Sequence, residues 1–261
     1  MILNYRDDTT WRVYVLLSLW KDLLNLIFPP GVDCPFCGGP RQGNDICGKC
    51  RSIIACYSQE LYCRRCGRFT GKGSVIPRVS GHFCFTCRKQ EWPFELARAA
   101  GPYEGVLKET IHRFKYLGRR GLASSLAGLM AETARAEPLF TSADLVLPVP
   151  LSDEKLRLRG FNQAALLADE VGYRLQIPVN DRLLVKDFET SSQAGLNRTA
   201  REINLKGAFR VTNADAIHGR NIMIIDDVFT TGSTMSSAAL VIRSAGARHV
   251  FGLTAAAGRY F

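Results

Sequence analysis

The chain has 261 residues, 46% of them hydrophobic and 22% charged, so it can bury a core and is too apolar to be a disordered tail. That length suits one large or two modest domains, and a net charge of +10 favours anionic partners, whether phosphate-bearing ligands or nucleic acid. Eight of the nine cysteines fall in four C-x-x-C pairs, which is metal spacing rather than a disulfide framework. Such thiols persist best in a reducing compartment, and the sequence-based expectation is a cytoplasmic protein.

Residues 1–30 read as an N-terminal amphipathic helix. Leu16, Leu19, Leu23, Leu26 and Ile27 recur at helical spacing, and Pro29-Pro30 ends the pattern. The apolar run Val13–Trp20 is too short to span a bilayer, so no transmembrane segment is expected here. Asp7 and Asp8 stand where a signal peptide would carry positive charge.

Residues 31–92 carry the pairs Cys34/Cys37, Cys47/Cys50, Cys63/Cys66 and Cys84/Cys87. Each knuckle presents two thiolates from one tight turn, and two knuckles complete a tetrahedral four-thiolate zinc site. Sequential pairing gives intervals of nine and seventeen residues, short enough for ribbon loops; a crossed pairing is the alternative. Both zincs would be structural, since four protein thiolates leave no open position. His82 is a spare ligand the full sites do not need. Cys56 is left over, and a small buried apolar role is its default.

A linker is expected at Lys89 to Gly101, followed by the second domain at residues 93–261. Tyr103 to Leu117 reads as a helix with Val106, Leu107, Ile111 and Phe114 on one side and Lys108, Arg113 and Lys115 on the other. Leu122 to Ala136 is a second helix. Leu145 to Val149 is a buried strand candidate, and a basic loop from Pro150 to Gly160 leads into a helix near Phe161. Short strands are expected at Leu183 to Val185 and Gly207 to Val211, with a polar loop, residues 187–204, between them. Gly246 to Thr254 is the last expected strand. Strands alternating with helices imply a mainly parallel α/β sheet.

The richest stretch is Asn221 to Thr234, NIMIIDDVFTTGST. Ile222 to Ile225 suit a strand buried on both faces. Asp226 and Asp227 follow at its carboxyl end, where open α/β sheets bind ligands. Thr230-Thr231-Gly232-Ser233-Thr234 then runs into a helix, a combination that can cradle a phosphate through N–H groups and hydroxyls. Paired acids before such a cradle suit a sugar diol, or a magnesium ion held through ribose hydroxyls. The stretch resembles the signature of type I phosphoribosyltransferases, which bind phosphoribosyl pyrophosphate (PRPP).

Further motifs narrow the resemblance. Arg157-Leu158-Arg159-Gly160-Phe161-Asn162-Gln163 looks like the RxRGFNQ element of the ComF (ComF/GntX) family. The spacing Gln193-x-x-Leu196-x-Arg198-x-x-Arg201-x-x-Asn204 and the YxGxLKxxIxxxKYxG stretch from Tyr103 to Gly118 are similar to that family too, as is an LxxLxFP helix before a cysteine-rich region. The resemblance implies a type I phosphoribosyltransferase-like sheet joined to an N-terminal double zinc ribbon, in proteins linked to natural transformation and the uptake or use of exogenous DNA.

On that reading Thr230 to Thr234 would hold a ribose 5-phosphate, and Asp226 and Asp227 the ribose hydroxyls with magnesium. Arg157 and Arg159 would face pyrophosphate, for which guanidinium groups are suited by bidentate pairing. Arg198 and Arg201 would close over it from the 187–204 loop as a lid. No residue stands out as a general base. Three classes stay open: a phosphoribosyltransferase with an unknown acceptor, a module that binds PRPP or single-stranded DNA, and a docking surface for other DNA-uptake proteins. Basic residues nominated for DNA are Arg64, Arg65, Arg68 and Lys72, and Lys108, Arg113, Lys115, Arg119 and Arg120.

Overall fold

The structure, a computed structural model, describes residues 33–40, 46–71, 82–186 and 208–260. The expected N-terminal helix, Lys72, and the 187–204 loop with Arg198 and Arg201 lie outside them.

The central element is strand β6, Asn221–Phe229. Its side chains alternate between two cores. Ile222 and Ile224 pack with Leu145, Leu147 and Val250, whereas Met223 and Ile225 pack with Val146, Phe251 and Leu253. Every one of these residues is buried, which is why the run reads as continuously apolar rather than alternating. Around β6 a four-stranded parallel sheet forms in the order β2 (Leu96–Ala99), β7 (His249–Ala257), β6, β3 (Leu145–Pro148). Helices α3 (Gly105–Tyr116), α4 (Leu122–Arg135) and α6 (Gln163–Leu175) cover one face through Leu107, Ile111, Phe114, Leu126, Met130, Leu167 and Val171. Helix α7 (Ser233–Ser244) covers the other through Met235, Ala238, Ala239 and Ile242.

The described cysteine-rich part contributes helices α1 (Gly48–Ser58) and α2 (Phe85–Lys89) and strand β1 (Phe69–Thr70). It does not stand apart from the sheet. Cys34, Phe36, Cys50 and Tyr57 belong to the core under α3 and α4, while Cys63, Cys66, Phe69 and Cys84 belong to the core on the α7 side. Strand β1 also pairs in parallel with the C-terminal β8 (Arg259–Tyr260). Arg259 fastens this junction: its guanidinium bonds Glu60 at 2.6 and 3.1 Å, Glu104 at 2.8 and 2.9 Å, and the Thr70 carbonyl at 2.6 Å.

Several expectations are corrected. The supposed linker is structured, since Leu96–Ala99 forms the sheet edge β2. The one charged residue of this strand is what hid it: Arg98 is 8% exposed, and its head group bonds Glu137 and the carbonyls of Arg64 and Ala97. The supposed basic loop after β3 contains helix α5, Asp153–Arg159, closed by Gly160 in the left-handed region. Strand β6 runs four residues past Ile225 because Asp226, Val228 and Phe229 keep pairing with Thr254, Ala256 and Ala257 of β7. The short strands β4 (Leu184–Lys186) and β5 (Phe209–Val211) pair antiparallel with each other as a separate two-stranded flap. Cys56 is exposed on α1 rather than buried.

Candidate metal centres and anion-binding site

The eight knuckle cysteines form two groups, Cys34/Cys37/Cys47/Cys50 and Cys63/Cys66/Cys84/Cys87, with all sulfurs in each group within 4.8 Å of one another. This is the sequential pairing. The Cys37–Cys47 sulfurs stand 3.6 Å apart and those of Cys66 and Cys84 3.7 Å. A zinc–thiolate tetrahedron with bonds of about 2.3 Å has edges of roughly 3.8 Å, so the donor sets fit this ion.

Electrostatics make the same point. Cys84 is driven far below the usual thiol range by hydrogen bonds from Cys63, Cys66 and Cys87, while the same crowding drives Cys87 far above it. Four sulfurs this close can all ionise only around a cation. Outer donors are already in place for the resulting negative charge: Arg68 Nη2 lies 3.3 Å from Cys84 Sγ, the Cys84 amide 3.3 Å from Cys63 Sγ, and Trp92 Nε1 3.1 Å from Cys87 Sγ. His82 is not a ligand; its ring stacks on Tyr260 at 5.8 Å.

The second site lies at the carboxyl ends of β3 and β6. A cavity of about 260 Å³ there is lined by Asp226, Asp227, Thr230 and Thr234, with Lys115, Ser152, Lys155, Arg159, Lys186 and Phe209 among the surrounding residues. Gly232 ends the turn as N-cap of α7 with φ +85°. A Cβ there would lie 2.5 Å from Phe229 Cζ and 2.9 Å from two ring carbons of Trp92, so both conformation and space demand glycine. Thr231 Oγ1 and Ser233 Oγ are 2.8 Å apart, holding two hydroxyls at the helix start. A smaller void beneath the loop is lined by Asp226, Thr230, Gly232, Ser233 and Thr234.

The acids differ from each other. Lys115 Nζ sits 2.7 Å from Asp227 Oδ1, with 15% and 11% of the two side chains exposed. Burial works against the Lys115 charge, but Asp227 and Asp226 outweigh it and hold the ammonium above its ordinary value. Burial, and then the charge of Asp227, push the Asp226 carboxyl up to about 7. Lys186 is lowered, by burial first and by Lys155 second.

The sequence-nominated residues divide. Asp226, Asp227, Thr230, Thr234 and Arg159 line the cavity, and Thr231, Gly232 and Ser233 build its loop. Arg157 is exposed on α5 and is not part of the wall. Arg159 donates to Gln163 Oε1 at 3.0 Å and lies over the Tyr116 ring. Asn162 Oδ1 caps α6 while its amide donates to the Val149 carbonyl, so the RGFN turn is braced against the end of β3.

Lys115 is the residue sequence reasoning misplaced. Its position on the polar side of α3 made it a candidate DNA contact, although Asp227, the carboxylate it pairs with, was already nominated. Other nominated DNA contacts are also structural. Arg113 donates to the carbonyls of Pro35 and Phe36 in the first cysteine loop, Arg65 to the Trp92 carbonyl, and Arg120 to the Gly160 carbonyl beneath the Phe161 ring. Among the described residues no helix is long and apolar enough to cross a membrane.

Residues 23–88 match the double zinc ribbon domain family. Among solved structures, a likeness of 18% identity and TM-score 0.38 to a PRPP amidotransferase from B. subtilis covers 54% of this chain and only 30% of that one. The likeness to an adenine phosphoribosyltransferase from Leishmania tarentolae has 15% identity and TM-score 0.34, over 53% and 58% of the two chains. Sequence relatives extend further. The Bacillus subtilis Competence protein ComFC is 27% identical, over 90% of this chain and 84% of its own, and the Escherichia coli K12 DNA utilization protein YhgH is 29% identical, over 78% and 87%. Competence protein F of Haemophilus influenzae is 30% identical over 211 residues, 79% of this chain and 88% of that protein. With two four-cysteine groups in front of a mainly parallel sheet, and that identity over most of both chains, the protein belongs to the Competence protein F family that includes ComFC and YhgH.

Proposed function

We propose that this chain binds PRPP with magnesium and acts in the use of exogenous DNA during natural transformation. The observation that carries the first part is the convergence of Asp226, Asp227 and the Thr230–Thr234 loop on one cavity ringed by Lys115, Lys155, Arg159 and Lys186. The helix start and its hydroxyls would hold a 5-phosphate, and the acids the ribose hydroxyls. The cations suit pyrophosphate, with Arg159, of the two arginines nominated for it, as the guanidinium at the wall. Magnesium, when bound, would neutralise pyrophosphate charge and let it leave. Burial and Asp227 push the Asp226 carboxyl up to about 7, in the range that suits a general base. The second part is supported by the relatives, which are described as competence and DNA utilization proteins. The test is calorimetric titration of the zinc-loaded protein with PRPP and magnesium. Saturable binding that is lost in Asp226→Asn/Asp227→Asn supports the reading, and no heat at millimolar PRPP overturns it.

A second reading, direct binding of single-stranded DNA, draws on the net charge of +10 and on exposed Lys108, Arg119 and Arg120, the last of which also holds the Gly160 carbonyl. Affinity that falls steeply with salt, with a flatter slope in Arg119→Ala/Arg120→Ala, would support it. Salt-independent binding, or none, would count against it.

A further inference from the structure

We propose that Trp92 couples the metal state of the second cysteine group to the shape of the Thr230–Thr234 loop, making it a positioning residue for whatever that loop binds. One end of the indole touches the metal group, where Nε1 donates to Cys87 Sγ at 3.1 Å. The other end touches the loop, where a Cβ on Gly232 would meet Trp92 Cη2 and Cζ3 at 2.9 Å each. The ring between is held fast. It is 6% exposed, stacks on Phe94 at 5.2 Å and meets the edge of Phe229 at 6.2 Å. Phe229 is itself the last residue of β6, just before the loop, and its ring contacts the Gly232 position as well.

The physical basis is the nature of the sulfur. A metal-bound thiolate is a good acceptor for an indole N–H, whereas a protonated thiol is a weak one. With the ion in place, Cys87 is fixed and so is the indole it anchors. Without it, the short helix α2 that carries Cys87 loses its tie to Cys63 and Cys66, and Trp92 loses one fixed end. The rigid ring then no longer braces a turn that holds Gly232 at φ +85° and sets where the α7 amides point. The first group has no such route. Cys34, Phe36 and Cys50 pack on the opposite side of the sheet, with Leu107, Ile111 and Phe114 of α3. Only the second metal should reach the loop.

Hydrogen exchange of the zinc-loaded full chain tests this, read at the amides of residues 229–236. Trp92→Phe keeps a ring in the pocket but removes the donor, and zinc content should remain at the wild-type value. Exchange there should rise by roughly fivefold, the factor of one net hydrogen bond, with β3 unchanged. Cys87→Ser should do the same, whereas Cys37→Ser, in the first group, should leave the loop as it was. Unchanged loop exchange in Trp92→Phe, or an equal rise in Cys37→Ser, overturns the proposal.

The consequence for PRPP rests on the function proposed above, so a reciprocal measurement separates the two. If zinc favours the ligand-ready loop, ligand must favour zinc retention by the same factor. PRPP should raise the chelator concentration needed at equilibrium to remove one zinc from the wild type and have no such effect in Trp92→Phe. A wild type that binds no PRPP, yet shows the exchange pattern, upholds the coupling and removes the PRPP reading. A wild type that binds PRPP while both variants match it in exchange and zinc loss removes the coupling.

Discussion

Lys115 Nζ and Asp227 Oδ1 lie 2.7 Å apart in the wall of the cavity, joining helix α3 to the acid pair on strand β6. The contact changes what the acids can be. Asp227 is a member of a largely buried ion pair, and Asp226 is left as the carboxylate whose charge is opposed by its surroundings.

Removing the cation should therefore cost more than removing an exposed surface lysine. Lys115→Met leaves the largely buried Asp227 carboxylate without its partner, and about 3 kcal/mol of stability should be lost in urea denaturation. Adding Asp227→Asn should restore part of it, because the second change removes the stranded charge. Additive losses in the double variant would show that the pair does not act as one.

Stability and binding should respond oppositely to pH around Asp226. Its folded-state value, about 7, lies above the ordinary 3.8, so the folded protein holds the proton more tightly than the unfolded chain. That contribution is fully present below the unfolded value and is lost as pH rises from about 4 through 7. Asp226→Asn should flatten the decline in a series of thermal melts. If the ionised acid is what meets magnesium or ribose, PRPP affinity should instead strengthen as pH rises through about 7 and level off above it.

Gly232→Ala should damage the loop even though alanine is the smallest possible change. A left-handed conformation at a non-glycine residue costs of order 1 kcal/mol or more. Its Cβ would also stand 2.5 Å from Phe229 Cζ, so the ring must shift. A lower melting temperature together with weakened PRPP binding is expected; unchanged values in both would mean the turn adopts another conformation.

Elemental analysis of protein prepared without chelator should give about two zincs per chain. Cys34→Ser should retain one, and near-ultraviolet dichroism should report loosening confined to the first group. Metal-free protein with eight freely reacting thiols would refute the assignment of both centres.

Arg259→Met should loosen the described ribbon from the sheet. The substitution leaves Glu60 and Glu104 without their shared partner and the Thr70 carbonyl without its donor. A loss of about 3 kcal/mol is expected, with faster protease cleavage in the cysteine-rich part. Cleavage at the wild-type rate would show that the shared apolar cores alone hold the junction.

Local chemistry was legible in the sequence wherever it was repeated or contiguous. Four C-x-x-C knuckles announced two metal groups, because the ligands of each pair come from one turn. Ile222 to Thr234 announced a buried strand, two acids and a helix start, because all three are neighbours along the chain. What the chain order could not reveal was the partner of each charge. Lys115 and Asp227 are 112 positions apart, and nothing on α3 distinguishes the lysine that points into the cavity from Lys108, which points to water. Arg98 made a buried edge strand look like a linker, since its neutralising Glu137 arrives from the turn just beyond α4. Trp92 was one residue of the expected linker until folding set Cys87 at one edge of its ring and Gly232 at the other. Periodicity and spacing encode which residues share a face or a turn. Which charges are neutralised, and which ring bridges two sites, is decided only when distant segments pack and water is excluded between them.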